Sequence, residues 1–184
     1  ATKQDPATAR IGENFYIFLL RCVVMSLVSA WNIEKDLLKK KNISPYNFKN
    51  RMLHYFVAEI LILILSFFLA GINGLIFIFF HSAISIILLE LVDYIQHYGL
   101  ERSIKNGKYQ TYAEQHSWNS RHSSANWSTF NLGLHAEHHQ TSSKHYPLLS
   151  QQKKLMEMPA NYPVMIMMAL VPPIWFKIMN PKLK

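Results

Sequence analysis

The sequence predicts an all-α integral-membrane protein: a helical bundle fragment with a transmembrane hairpin and a cytoplasmic, histidine-rich helical cap. Three observations carry this reading. Half of the 184 residues are hydrophobic, and they gather in runs instead of scattering as in a soluble domain. Two of those runs are separated only by Gly71-Ile72-Asn73-Gly74, an uncharged turn signal. Most of the nine histidines fall between His97 and His145, just after the second run.

Taken in order, residues 1–13 are polar and contain Asp5-Pro6 and Gly12, so they read as an entry loop. Residues 14–31 are apolar, with Arg21 in the middle and Trp31 at the end. An arginine at mid-depth of a bilayer is costly, so an interfacial helix lying in the headgroup plane is expected there. Residues 34–51 form the densest basic stretch, with Lys35, Lys39, Lys40, Lys41, Lys49 and Arg51. The two apolar runs, 55–70 and 75–96, would reach about 24 Å and about 33 Å as helices. A hydrocarbon core is about 30 Å thick, so residues 54–97 read as a transmembrane hairpin.

The basic stretch before the hairpin is expected on the cytoplasmic side. Two crossings return the chain to that side, which makes 98–159 a cytoplasmic His-rich region. Residues 161–179 are apolar and Met-rich but interrupted by Pro163, Pro172 and Pro173. Interior prolines break a helix ladder, so a kinked or interfacial membrane-associated helix is expected. All of 1–184 reads as one domain.

Composition excludes some classes. The formal net charge is +8. In a soluble chain this would raise nucleic acid as a partner, but beside membrane spans an anionic lipid surface explains it, and no nucleic-acid partner is expected. Cys22 is the single cysteine, which rules out an intrachain disulfide framework and a thiolate metal site. It reads as a small core residue. The chain opens at Ala1 without a secretory signal pattern, as in a processed chain or a fragment.

The histidines carry the chemistry. His135, His138 and His139 form H-x-x-H-H, and positions i, i+3 and i+4 share a helix face. Three neutral imidazoles on one face can converge on a metal; a solvated polar helix is the bland alternative. His97 ends the second run on the same side of the membrane, so a shared site is topologically allowed. Asp93 stands one turn before His97, and Glu90 lies one turn earlier still. Carboxylates near bilayer depth are functional suspects. Asp93 either accepts the outer ring N–H of a liganding histidine or faces headgroup water; Glu90 is read as an inward-facing polar group. His116 and His122 frame H-S-W-N-S-R-H and either support ligands from outside or brace their loop. His54, His81 and His145 read as structural.

Four strings in order carry a resemblance. D-Y-I-Q-H-Y-G-L-E-R at 93–102, H-S-W-N-S-R-H at 116–122 and L-G-L-H-A-E-H-H at 132–139 resemble segments of the alkane 1-monooxygenases, which the xylene monooxygenases share. D-P-A-T-A-R-I-G-E-N-F-Y-I-F at 5–18 resembles the stretch after that family's second histidine box. The resemblance covers essentially the whole chain and places it in the membrane fatty acid desaturase-like superfamily.

The resemblance implies a transmembrane helix bundle in a bacterial inner membrane, with a cytoplasmic diiron site. It implies O₂-dependent terminal hydroxylation of an alkane or alkyl chain, and electrons from a rubredoxin-type donor. Carried over, the metal ligands are His97, His135, His138 and His139, with Glu137 as an outer support. Two departures stand out: Gly133-Leu134 where the family usually has Gln-Arg, and Asp93 where Asn is usual. The family's first two histidine boxes lie upstream of the segment that Ala1 begins in, so the chain taken alone is expected to be inactive. Two alternatives stay open: a membrane fatty acid desaturase or hydroxylase, and a non-enzymatic membrane protein binding zinc through H-x-x-H-H. Arg102, Lys105 and Lys108 either dock an acidic donor or form a solvated face.

Overall fold

The structure is a computed structural model, and it describes residues 1–2, 4–122, 126–127, 129–150 and 156–183. Positions 123–125, 128 and 151–155 of the expected His-rich region lie outside the described residues. The chain is mostly helical and divides into two compact units, residues 1–22 with 90–184, and residues 23–89.

Helix α1 spans Phe15–Lys39, where the sequence suggested an interfacial helix over 14–31. The Asn14 side chain accepts from the Ile17 N–H at 3.0 Å and starts the helix. Arg21 does not interrupt it because its charge is fully engaged. Its guanidinium meets both Glu13 carboxylate oxygens at 2.7 and 2.8 Å and donates to the carbonyls of Pro6 and Thr8. The helix continues past Trp31 to Lys39, about 37 Å in all, and is long and apolar enough to cross a membrane. Asn42 then takes a left-handed conformation, φ 55°, as residues past a helix end often do.

Helix α2 covers Arg51–His97, and Glu34 of α1 receives Arg51 at its start, at 2.8 Å. The helix reverses at Ala70 and Gly71, where Gly71 has φ 57° and ψ −142°, a combination open essentially to glycine. The reversal is tighter than the four-residue turn the sequence suggested: residues 72–74 already belong to the second arm. Gly74 packs against the first arm, since a Cβ there would sit 2.0 Å from the Ser66 carbonyl oxygen. The arms, 51–69 and 72–97, reach about 28 Å and about 39 Å. Their apolar side chains, such as Phe68 and Leu89, are exposed, as a lipid-facing hairpin requires.

The other unit is built around aromatic side chains of the inner end of α2. Tyr94 and Tyr98 are fully buried among Phe15, Phe18, Trp118 and Trp175. The Tyr98 hydroxyl donates to Asn180 Oδ1 at 2.7 Å and accepts from the Gly12 N–H at 2.9 Å. Gly99 ends α2 with φ +72°, and a Cβ there would lie 2.4 Å from Leu183. Both facts call for glycine.

Beyond α2 the backbone is mostly loop. Strands β1 (Ile104–Lys105) and β2 (Lys108–Tyr109) pair antiparallel, and β3 (Trp118–Asn119) and β4 (Met156–Glu157) pair parallel. Helix α3 is short, His135–Gln140. Helices α4 (Tyr162–Ala169) and α5 (Pro172–Met179) are bent by 120° about the Val171-Pro172 break. The bend is the one expected from Pro172-Pro173, because neither proline can donate to a continuing ladder.

Candidate metal centre

Helix α2 delivers His97 in its last turn, and α3 begins with His135. The two segments meet so that His135 Nε2 lies 3.1 Å from His97 Nε2 and 2.8 Å from His139 Nε2. One donor atom from each of the three lies within 4.8 Å of the others, which marks a metal-sized triad. His97 and His135 are buried, while His139 stays exposed at the mouth.

The hydrogen-bonding capacity of His135 tests whether a cation fits. A ring nitrogen has one in-plane position, holding either a proton or a lone pair. His135 Nε2 therefore cannot satisfy both close nitrogens as a neutral imidazole. A shared cation satisfies all three, because lone pairs then point inward. Imidazoles held at about 2.1 Å and at right angles bring neighbouring nitrogens to about 3.0 Å, near the observed separations. His135 Nδ1, which carries the proton when Nε2 gives its lone pair to a cation, is buried and has no partner among the described residues.

Electrostatics favour the neutral, ligating form. Burial, then the neighbouring His97 and His139, hold the His135 imidazole well below its ordinary range. Burial followed by His138 lowers His139 as well. A metal then displaces little or no proton from these rings.

His138 is exposed, with its ring centroid 6.2 Å from His135 and 5.8 Å from His139. It lines the same pocket of about 530 Å³ as His97, His135 and His139, together with Asp93 and Tyr112. Glu137 turns elsewhere. Its buried carboxylate takes the Lys144 ammonium and the Ser150 N–H and hydroxyl. Burial alone would raise this carboxyl, but Lys144 and Ser150 outweigh it and hold it below the ordinary range. Glu90 is buried one turn before Asp93, with Oε2 unpartnered among the described residues.

His116 is buried and its Nδ1 accepts from the Ala113 N–H at 2.9 Å. That contact leaves the proton on Nε2. Its ring meets Tyr112, which in turn lies 4.6 Å from the His139 ring. His122 is exposed, and its carbonyl accepts from the Asn126 N–H. His54 contacts the Phe48 carbonyl and His81 lies against Phe77.

Three residues near the site had no role in the sequence reading. Trp118 donates its indole N–H to the Tyr98 carbonyl at 2.9 Å, next to His97. Asn119 Oδ1 accepts from the Ala136 N–H at 2.9 Å, next to His135. Adjacent residues of β3 thus anchor the two histidine-bearing segments. Tyr112 supports His139 by ring contact. The S-W-N-S string pointed to the first two; Tyr112 left no signal.

Comparison with known proteins agrees with this architecture. Residues 1–168 match the profile of the family described as Fatty acid desaturase. The chain is 34% identical to alkane 1-monooxygenase 2 of Pseudomonas aeruginosa, across all of this chain and 49% of that protein. It is 36% identical to an alkane 1-monooxygenase of Pseudomonas putida, across 99% of this chain and 46% of that one. It is also 30% identical to the xylene/toluene monooxygenase hydroxylase component XylM of Pseudomonas putida, across 100% and 48%. The chain spans about half the length of the curated relatives it matches. With the family profile covering all but its last residues, and the two apolar helices and histidine triad in place, the chain belongs to the fatty acid desaturase family.

Proposed function

We propose that this chain serves an O₂-dependent monooxygenase that hydroxylates the terminal carbon of alkanes or alkyl chains at a histidine-ligated diiron centre. It provides part of the ligands, His97, His135, His138 and His139, within one desaturase-like domain. The observation that carries the reading is the convergence of His97, His135 and His139, joined to relatives named as alkane and xylene/toluene monooxygenases. Iron, when bound, supplies the O₂ and C–H chemistry that no side chain offers.

The chain's own residues position and insulate. Buried His135, which burial holds below the ordinary imidazole range, has little proton to expel on binding, and buried His97 faces it at 3.1 Å. Trp118 and Asn119 lock the two segments in register. Glu137, tied to Lys144 and Ser150, fixes the back of α3. The apolar arms of α2 hold the chain in lipid, the phase in which an alkyl substrate concentrates. The basic residues from Lys35 to Arg51 favour a site facing the cytoplasm, at a bacterial inner membrane. Electrons come from a rubredoxin-type donor, for which Lys105 and Lys108, exposed on β1 and β2, offer complementary charge.

The test is purification of the protein at its natural length, followed by metal analysis and turnover of an n-alkane with O₂ and a reduced donor. Bound iron and a 1-alkanol product are expected. A double bond introduced into a fatty acyl chain would point to the desaturase reading. Bound zinc without turnover would overturn the enzyme reading.

A further inference from the structure

Helices α1 and α2 are each long and apolar enough to cross a membrane. Residues 40–50, which join them, therefore lie where a bilayer meets water. This connection is braced from within. Fully buried Asn50 donates its side-chain N–H to the Pro45 carbonyl at 2.6 Å and accepts from the Met52 N–H at 2.9 Å. The Ile43 N–H closes the end of α1 on the Leu38 carbonyl at 3.0 Å, and Glu34 ties the base of the connection to Arg51. His54 Nε2 meets the Phe48 carbonyl at 2.6 Å, with the two rings 4.8 Å apart.

This frame holds two aromatic rings outward: Tyr46 is 79% exposed and Phe48 80%. Trp31 of α1 lies 6.3 Å from Tyr46, ring to ring. Around them Lys35, Lys39, Lys40, Lys41 and Lys49 are all exposed, and none of their ammonium groups has a hydrogen-bond or ion-pair partner among the described residues. Of the acids in 34–51, Glu34 is engaged by Arg51, which leaves Asp36 against five lysines. Membrane topology alone accounts for lysines beside a span. It does not account for two ordered rings turned away from the protein, because water gives such rings no favourable contact. The headgroup region does: aromatic rings settle at its boundary with the acyl chains, and ammonium groups reach the phosphates.

We infer that the α1–α2 connection is a docking surface for anionic phospholipid, with Tyr46 and Phe48 entering the headgroup region and Lys40, Lys41 and Lys49 taking the phosphate oxygens. A zwitterionic headgroup brings its own cation and cancels much of that attraction, so the unpaired lysines select the anionic class.

The test follows the thermal midpoint of the natural-length protein in detergent as dioleoyl-phosphatidylglycerol or dioleoyl-phosphatidylcholine is added. Wild type is expected to bind phosphatidylglycerol more tightly, with a preference that shrinks as NaCl rises. Lys40→Gln, Lys41→Gln and Lys49→Gln together are expected to weaken phosphatidylglycerol binding roughly 10–100-fold, whereas Arg at the same three positions keeps it. Tyr46→Ser with Phe48→Ser is expected to weaken both lipids alike. A wild type without the preference, or with one that salt leaves unchanged, overturns the inference. So does a preference that the Gln variant keeps or the Arg variant loses. Inorganic phosphate that stabilises wild type as much as phosphatidylglycerol does would assign the lysines to a free anion and overturn the lipid. A Gln variant with unchanged lipid binding but a raised KM for a reduced electron donor would place a protein partner there instead.

Discussion

Asn119 holds the Ala136 amide at 2.9 Å through its side-chain oxygen, and so sets the angle at which α3 presents His135. The residue is 1% exposed. Asn119→Ala leaves the Ala136 N–H buried without an acceptor, a loss of about 1–3 kcal/mol. Metal affinity is expected to fall roughly 10–100-fold with it, as for other residues that orient ligands from outside. Thermal denaturation and Zn(II) titration check the two effects separately.

Gly133 accounts for one departure from the resembling family. A Cβ there would meet Asn126 Oδ1 at 2.0 Å and the Ser120 carbonyl oxygen at 2.8 Å. Both neighbours are held: buried Asn126 donates its Nδ2–H to the Ser120 carbonyl at 2.8 Å, and the Ser120 N–H donates to the Gly133 carbonyl at 2.9 Å. Gly133→Gln, which restores the family's usual residue, is therefore expected to destabilise by about 1–3 kcal/mol. A lowered thermal midpoint relative to wild type is the readout.

Arg21 and Glu13 form a pair with side chains 14% and 8% exposed. Glu13→Gln strands the guanidinium in an apolar helix, with only two carbonyls left to it. The expected loss is about 3 kcal/mol, the low end for a broken buried pair. Glu13→Gln with Arg21→Leu removes the stranded charge and is expected to recover part of it. The thermal midpoints of the single and double variants in detergent decide this.

Much of the architecture was legible in hydropathy, and some of it was not for identifiable reasons. The 55–70 and 75–96 runs read as spans because nothing charged divides the second run before Glu90. Residues 14–31 were read as an interfacial helix because Arg21 looks unpaired in sequence; its partner is eight residues upstream in a polar segment. The H-x-x-H-H spacing places three rings on one face, but spacing does not say which of them meets His97. In the structure that is decided by the approach of α3 to the end of α2. The approach depends on Trp118 and Asn119, whose partners Tyr98 and Ala136 lie 20 and 17 residues away. Contacts of that range leave no periodic trace.

The histidines also set a pH dependence for the metal-free protein. Burial holds His135 and His139 below the ordinary imidazole value in the folded state. Unfolded histidine takes up a proton below about pH 6.5, whereas the folded rings do so only at lower pH. The unfolded state then binds more protons, so stability falls as pH drops below about 6.5 and is full above it. Thermal midpoints measured from pH 7.5 to 5 should show this decline, and His135→Leu should flatten it.

The most direct measurement is the iron content of the natural-length protein with and without His135. Its Nε2 is the atom common to both close contacts of the triad. His135→Ala is expected to lose iron while folding as wild type does. A His135→Ala protein that retains the full wild-type iron complement would contradict the metal centre described here.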